Sequence, residues 1–149
     1  MNTIEHIGIA VSDLEQSIEL YTALLDTPCY KTEVVDSEQV TTAFFKKGEQ
    51  KIELLASTNP EGTIAKFIDK KGQGIHHIAF AVTDIKAEVQ RLKAAGFVFV
   101  SEEPKRGADN KWVVFMHPKS AGGVLFELCQ AINHECLFFT EELLLIFAA

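Results

Sequence analysis

Residues 74–85, Gly-Ile-His-His-Ile-Ala-Phe-Ala-Val-Thr-Asp-Ile, repeat a segment that the chain has already used near its start. The earlier copy is residues 3–14, Thr-Ile-Glu-His-Ile-Gly-Ile-Ala-Val-Ser-Asp-Leu. Equivalent residues of the two copies are all separated by the same number of positions. They include a histidine, which is His6 in the first copy and His77 in the second. Each copy is rich in β-branched residues up to an aspartate, which predicts a strand followed by the start of a helix.

A second repeated segment lies near the end of each half of the chain. Residues 51–55, Lys-Ile-Glu-Leu-Leu, resemble residues 125–129, Leu-Phe-Glu-Leu-Cys, and Glu53 and Glu127 hold the same place in them. A repeat that occurs only twice, with so long a period, does not indicate a solenoid. It indicates an internal duplication of a half-domain.

Composition limits the classes of function. The chain has 149 residues, 47% of them hydrophobic, which is enough for one globular domain with a substantial core. Its net charge of −7 argues against a general nucleic-acid binder, because phosphates require basic surface. The three cysteines lack zinc or disulfide spacing, and no signal-peptide pattern is present. We expect a cytoplasmic protein with free thiols and without nucleic-acid or membrane partners.

Hydrophobic periodicity predicts the same order of elements in both halves. The first half has a strand at 4–11, a helix capped by Ser12 or Asp13 and running to about Leu25, and strands at 30–35, 40–46 and 51–56. The second half has a strand at 75–82, a helix capped by Asp84 and running to about Ala95, and strands at 97–101, 112–117 and 124–129. A short helix is predicted at 63–70, and polar loops at 102–111 and 118–123.

The predicted fold class is therefore α+β. Residues 1–130 form one domain of two tandem β-α-β-β-β modules, 1–58 and 74–130, joined by a linker at 59–73. Their strands should form a curved mixed sheet around a metal site. Residues 131–149 do not fit this pattern and form an apolar tail, too short at 138–149 to span a bilayer. A docked or interface helix is favoured there, and an unusual or non-native terminus is the alternative.

Four residues are candidate metal ligands, and each lies on a predicted strand with apolar neighbours: His6, Glu53, His77 and Glu127. Side chains alternate along a strand, so these should face the concave side of the sheet. A lone histidine here would more often be a hydrogen-bonded core residue, and a lone glutamate a solvent contact of an edge strand. The recurrence of both residue types at nearly one spacing favours a shared site, since a buried carboxylate needs a cation or a partner.

The donor set also limits the ion. Nitrogen and oxygen ligands without sulfur favour a divalent ion such as Co, Ni, Mn, Zn or Mg. An octahedral ion with four protein ligands keeps two positions for water or substrate oxygens, which suits Lewis-acid polarisation of a carbonyl. His76 should point to the face opposite His77, while His117 and His134, without counterparts, should be structural or on the surface.

These features resemble the vicinal oxygen chelate superfamily, which includes lactoylglutathione lyase and extradiol dioxygenases. Within it, residues 3–130 are similar to the methylmalonyl-CoA epimerase family. The matching motifs lie at residues 5–11, 52–55, 63–67, 74–80, 103–107, 115–120 and 123–128. The most specific is Phe-Met-His-Pro-Lys-Ser at 115–120, because the His-Ile-Gly-Ile-Ala-Val pattern occurs throughout the superfamily.

The resemblance implies metal-dependent interconversion of (R)- and (S)-methylmalonyl-CoA by proton transfer at C2 through an enolate. A divalent ion would chelate the thioester and carboxylate oxygens of the substrate and acidify the C2 proton. Superfamily members often dimerise, so a homodimer is expected by analogy.

The acid/base residues are the point at which the chain departs from the family. Epimerisation needs a base on one face of the carbon and an acid on the other. Some family members carry a carboxylate on the strand at about Thr42, and this chain has none at 40–43. Glu127 is therefore our candidate catalytic residue, with a bound water as the alternative.

Substrate-binding candidates lie in the two polar loops of the second half. Lys105, Arg106, Lys111 and Lys119 supply local positive charge in an acidic chain. We expect Lys105 and Lys119, with Ser120, to contact the acyl-CoA substrate. Each of these charges alone would more often be a solvated loop residue.

Two other functions remain open. Lactoylglutathione lyase shares the fold and much of the ligand set, but the Pro-Lys-Ser segment and the short chain argue against it. A non-catalytic small-molecule-binding protein of the same fold typically lacks the ligands that are present here.

Overall fold

The computed structural model describes residues 1–133. Its strands are β1 Ile4–Ala10, β2 Lys31–Val35, β3 Val40–Lys47, β4 Gln50–Ser57, β5 Gly74–Ala81, β6 Lys105–Arg106, β7 Lys111–Met116 and β8 Phe126–Ala131. Its α-helices are α1 Leu14–Leu25, α2 Thr63–Lys71 and α3 Ile85–Ala94, and short 3-10 turns cover Asp36–Glu38 and Pro118–Ser120.

One curved mixed sheet contains all eight strands, in the order β2-β3-β4-β1-β5-β8-β7-β6. β1 is parallel to β4, β5 is parallel to β8, and the antiparallel pair β1–β5 joins the two halves at the centre. The order from each edge to the centre is thus the same in both halves. The predicted fold class, α+β with two tandem β-α-β-β-β modules in one curved mixed sheet, is confirmed.

Helices α1 and α3 begin where the repeated aspartates predict. The side chain of Asp13 accepts a hydrogen bond from the backbone N–H of Gln16 at 3.0 Å. The side chain of Asp84 accepts one from the N–H of Ala87, also at 3.0 Å. Such a cap satisfies an N–H that the helix itself leaves free and is typically worth about 1 kcal/mol.

Alternation along the strands separates the hydrophobic core from the cavity. On β3, Ala43 and Phe45 join Leu54 in a buried cluster packed against α1, while Thr42 and Phe44 point to the other face and line a cavity. Full burial of a side chain as large as Phe45 contributes about 1.5–3 kcal/mol. The side chains of β7 alternate in the same way in the second module. One face of this strand lines the cavity, and the opposite face packs against α3.

The predicted strand at 97–101 is wrong as a full strand, since the structure has a single bridge there, Phe99 to Met116. The alternation itself is present, because Phe97 and Phe99 pack against the core while Val98 and Val100 are exposed. β6 also pairs with β7, within the segment that was predicted to be a loop.

The remaining predictions concern α2 and the C-terminal tail. α2 confirms the short helix predicted near 63–70. The apolar segment 138–149, His134 and Cys136 lie outside the described residues. No helix within residues 1–133 is long and apolar enough to cross a membrane.

Candidate metal centre and active site

A cavity opens on the face of the sheet opposite α1 and α3. One wall comes from residues before β5: Val35, Glu38, Val40, Thr42, Phe44, Leu55 and Ile64. The facing wall comes from the second half: Gly107, Ala108, Asp109, Lys111, Val113 and Phe115. The four candidate ligands also line this cavity.

The four candidate ligands occupy the four central strands of the sheet. Glu53 lies on β4, His6 on β1, His77 on β5 and Glu127 on β8. All four side chains are buried, with at most 6% of any of these residues exposed. The pseudo-two-fold order of the strands therefore brings one histidine and one glutamate from each half to the same place.

The ligand atoms lie close together. The Nε2 atoms of His6 and His77 are 3.0 Å apart. The Oε2 atom of Glu53 is 3.2 Å from His6 Nε2 and 3.6 Å from His77 Nε2. Glu127 places Oε2 3.4 Å from His77 Nε2 and Oε1 4.0 Å from His6 Nε2. His6, His77 and Glu127 form the tightest group, with ligand atoms all within 4.8 Å of one another, and Glu53 approaches it from the histidine side.

This donor set fits a divalent ion. An octahedral ion about 2.1 Å from each ligand atom holds neighbouring ligand atoms about 3.0 Å apart and opposite ones about 4.2 Å apart. The separations that involve the two histidine nitrogens, 3.0 to 4.0 Å, fall within this range. Metal binding by these residues stays a prediction, but the required convergence of their side chains is present.

Two β-bulges lie immediately before the ligand histidines. In the pairing of β1 with β5, Ile4 and His6 lie opposite two consecutive residues of β5. Glu5 is therefore an extra residue on β1. A second register shift leaves His76 as the extra residue on β5. A bulge re-aims side chains locally. Here each bulge places the residue before a ligand histidine next to that histidine's ring.

Glu5 holds His6 through the ring nitrogen that faces away from the ligand cluster. His6 Nδ1–H donates to Glu5 Oε2, which leaves Nε2 directed at the other ligands. The other carboxylate oxygen of Glu5 accepts from Lys51 Nζ at 2.6 Å, and Lys51 also donates to Asp109 at 2.8 Å. Burial raises the pKa of Glu5, but hydrogen bonds from His6 and Lys51 outweigh it and lower this pKa to about 2. A carboxylate behind a ligand histidine fixes its tautomer and ring orientation.

The prediction that His76 points away from His77 is wrong. Its Nδ1 lies 3.0 Å from His77 Nδ1, and its ring lines the same cavity and meets Phe67 edge-on. Burial, with a smaller contribution from the charge of Lys71, lowers the pKa of His76 to about 4. His76 is therefore neutral at pH 7 and can accept a hydrogen bond from His77 Nδ1–H. Side chains were expected to alternate between the two faces of β5, and they do not do so here because the bulge adds one residue to the strand.

Gly8 provides the space for the His77 ring, and Gly8→Ala should displace it. Gly8 pairs with His77 across β1–β5, and a Cβ at position 8 would lie 2.7 Å from His77 Nε2. We expect metal affinity, measured by titration, to fall by at least about 10- to 100-fold. Gly72→Ala is the control, since it strains a backbone at φ +80° with nothing within 4 Å of the added atom. It should lower the unfolding temperature but keep the affinity, and equal losses in both variants would contradict this role of Gly8.

Metal binding should release protons and strengthen as the pH rises. Without a cation, burial lowers the pKa of His6, but hydrogen bonds to Glu5 and Glu53 and nearby negative charges raise it to about 10. Burial, followed by the charges of Glu53, Glu5 and Glu38, raises the pKa of Glu127 to about 8 against the opposing charge of His6. At pH 7 both groups are protonated, and an ion must displace both protons.

The apparent affinity should therefore rise with pH, by up to about tenfold per pH unit for each displaced proton. Calorimetric titration with Co²⁺ in two buffers of different ionisation enthalpy measures the number of protons released. Buffer-independent heats at pH 7 would contradict this prediction.

Of the predicted substrate-binding residues, Lys111 lines the cavity, whereas Lys105, Lys119 and Ser120 are not part of its lining. Lys105 Nζ is 2.5 Å from Glu38 Oε1, so the second half meets the first across the cavity. Lys119 lies in the 3-10 turn after β7, where its backbone N–H donates to His117 Nδ1. The Ser120 hydroxyl accepts from the N–H of Val98 at 3.0 Å and so ties the segment after α3 to this turn. Substrate contacts by Lys105, Lys119 and Ser120 stay predictions.

Sequence analysis missed Glu5, His76 and Glu38 as residues of this site. Glu5 and His76 stand beside ligands, but alternation assigns adjacent strand residues to opposite faces. Glu38 belongs to a turn, whose direction no periodicity predicts. A bulge-forming register shift between two strands is a feature of pairing, and only the paired structure reveals it.

The chain is similar to known proteins in sequence and in fold. Residues 5–115 match the family model of the glyoxalase/bleomycin resistance protein/dioxygenase superfamily. An ethylmalonyl-CoA/methylmalonyl-CoA epimerase of Cereibacter sphaeroides is 41% identical over 129 residues, covering 85% of this chain and 96% of the relative. The mitochondrial methylmalonyl-CoA epimerase of Homo sapiens is 39% identical over 132 residues, covering 88% of this chain and 75% of the relative.

A solved structure of a variant of Streptomyces coelicolor methylmalonyl-CoA epimerase in complex with 2-nitronate-propionyl-CoA has the same fold. It superposes with a TM-score of 0.86 at 33% identity, covering 89% of this chain and 99% of that one. The chain therefore belongs to the glyoxalase/bleomycin resistance protein/dioxygenase superfamily and, within it, to the methylmalonyl-CoA epimerase family of isomerases.

Proposed function

We propose that this protein epimerises methylmalonyl-CoA, interconverting its (R) and (S) forms by metal-dependent proton transfer at C2 through an enolate. The observation that carries the proposal is the convergence of His6, Glu53, His77 and Glu127 in one cavity, with a buried carboxyl group among them. Relatives named as epimerases of this substrate, at 39–41% identity, support the choice of substrate.

The residues His6, Glu53, His77 and Glu127 would hold the ion, directed by Glu5 and His76 behind the two histidines. When bound, a divalent ion supplies Lewis-acid stabilisation of the negative charge that develops on the substrate oxygens. The protein contributes a site whose ligands need little rearrangement, because their rings and carboxylates are already fixed by burial and hydrogen bonds.

Glu127 is the proposed acid/base residue. Its carboxyl group is buried on β8, where burial first, and then the charges of Glu53 and Glu5, raise its pKa to about 8. A bound cation lowers this pKa and so favours the carboxylate form that can accept the C2 proton near neutral pH. An acid/base group works best when its pKa lies near the working pH.

The remaining surface of the cavity is suited to the small acyl end of the substrate. Val35, Val40, Leu55 and Ile64 make one side apolar, and Thr42 is buried there with its hydroxyl donating to the Glu33 carbonyl at 3.4 Å. Lys105 and Lys119 would contact the phosphates of the CoA moiety outside the cavity. A homodimer, by analogy with the superfamily, completes the proposal, and light scattering of the purified protein tests it.

A comparison of two substrates tests the proposed function. The protein loaded with Co²⁺ is given each enantiomer of methylmalonyl-CoA and, separately, the glutathione adduct of methylglyoxal. We expect interconversion of the enantiomers, followed by chiral separation of the products, and no isomerisation of the adduct. Conversion of the adduct alone would replace the proposal with lactoylglutathione lyase activity, and turnover of neither would favour a binding protein.

A further inference from the structure

Epimerisation, on which this inference rests, needs two proton-transferring groups, one on each face of C2. Glu127 stands on β8, in the half of the sheet that forms one wall of the cavity. The facing wall comes from β2, β3 and the turn between them. A second acid/base group would have to lie on that wall, where Thr42 offers no carboxylate.

Five carboxylate residues line the cavity: Glu5, Glu38, Glu53, Asp109 and Glu127. Glu53 and Glu127 belong to the ligand cluster. Glu5 is held by His6 and Lys51, and Asp109 accepts hydrogen bonds from Lys31 and Lys51. Each of these four therefore already has a role in the cluster or in the charge network behind it.

Glu38 differs from the other four. Within residues 1–133 its carboxylate has one close cation, Lys105 Nζ at 2.5 Å from Oε1. That oxygen is buried and lacks a hydrogen bond of good geometry, so the ammonium is near it but not well directed at it. The carboxylate thus keeps the capacity to accept a further donor or to exchange a proton with a ligand in the cavity.

The local backbone explains how this carboxylate reaches the cavity. Asp36–Glu38 form a single 3-10 turn between β2 and β3, and Gln39 ends it with φ +54° while its N–H donates to the Asp36 carbonyl. The turn brings Glu38 into the lining of the cavity, together with Val35 and Val40. A turn residue therefore offers the cavity a carboxylate on the wall where β3 has only Thr42.

We propose that Glu38 is the second acid/base group of the epimerisation and faces C2 from the wall opposite Glu127. One carboxylate accepts the proton of the C2–H bond, whose electron pair passes into the enolate. The other group, as a carboxylic acid, then gives its proton to the opposite face of C2, and the new C–H bond restores the thioester. No electrons are gained or lost overall, and the two groups exchange protonation states between turnovers.

Glu38→Gln tests this assignment with each enantiomer in deuterated water. Glu127 should still remove and return a proton on its own face, so one enantiomer should gain deuterium at C2 without inverting. The other enantiomer should neither exchange nor invert, and epimerisation should fall by about 10²- to 10⁴-fold. Metal content, measured in parallel, should be unchanged because Glu38 is outside the ligand cluster.

Glu61→Gln, the same change at a glutamate whose side chain is 83% exposed, is the matched control. It should exchange and epimerise both enantiomers at the wild-type rate. The proposal is overturned if Glu38→Gln epimerises at the wild-type rate or slows exchange of both enantiomers equally. A wild-type protein that does not epimerise would instead refute the proposed function, so the two failures are distinguishable.

Discussion

Replacing Glu127 with glutamine should slow deuterium exchange at C2 of at least one enantiomer of methylmalonyl-CoA by about 10²- to 10⁴-fold. The amide oxygen can still bind an ion, but the amide cannot accept the proton. Glu127→Ala removes both properties, so it should lose metal as well as exchange. Exchange is followed by mass spectrometry in deuterated water, and metal content by elemental analysis of the same samples.

The comparison of these two variants separates the two roles of Glu127. Glu61→Gln, on a glutamate whose side chain is 83% exposed on the surface, serves as the control and should behave as wild type. If Glu127→Gln keeps its metal and exchanges both enantiomers at the wild-type rate, Glu127 is only a ligand. The acid/base group would then have to be sought at Glu53 or a bound water.

The double substitution His6→Ala/His77→Ala should abolish stoichiometric metal binding. It removes the two imidazole nitrogens that lie 3.0 Å apart at the centre of the cluster and leaves only carboxylates. We expect affinity for Co²⁺ to fall by more than about 100-fold, because loss of a partner behind a ligand already costs about 10- to 100-fold. The visible absorption of bound Co²⁺ and the metal content after dialysis measure the loss.

His117→Ala controls for a general effect of losing a histidine. His117 lies after β7, outside the lining of the cavity, and accepts a hydrogen bond from the N–H of Lys119 at 3.1 Å. It should keep one ion per chain. A double variant that retains one ion at the same site would show that the cluster of His6 and His77 is not the metal centre.

The repeat in the sequence predicts the features of this fold that depend on local chemistry. The cap of α1 at Ser12 or Asp13, the cap of α3 at Asp84 and the strand at 40–46 were predicted because side-chain spacing and helix capping are local properties. The assembly of strands from both halves into one sheet was expected from the duplication, and the structure shows that β1 and β5 form the central pair.

The features that were missed depend on how strands pair. His76 turned toward His77, against the period of two, because a bulge adds one residue to β5 at that point. Glu5 reached His6 for the same reason on β1. In each case the bulge gives a candidate ligand histidine a hydrogen-bonding partner. This is a functional reason for interrupting the alternation of side chains along the strand.

The turns and loops were the other source of difference. The segment at 97–101 has the alternation of a strand, yet it forms only one bridge with β7. Lys105 was assigned to substrate from its charge alone, and its ion pair with Glu38 joins residues far apart in sequence. Charge in a loop predicts the presence of a partner, but the identity of that partner depends on the folded arrangement.

The most direct test of the central claim, metal-dependent proton transfer at C2, is deuterium incorporation by the wild-type protein. Methylmalonyl-CoA is incubated in deuterated water with the Co²⁺-loaded protein, the chelator-treated protein and the protein to which Co²⁺ has been restored. We predict one deuterium at C2 with the loaded protein, loss of exchange after chelation, and recovery on restoration of the metal. Metal-loaded, folded protein that incorporates no deuterium into either enantiomer would contradict the account.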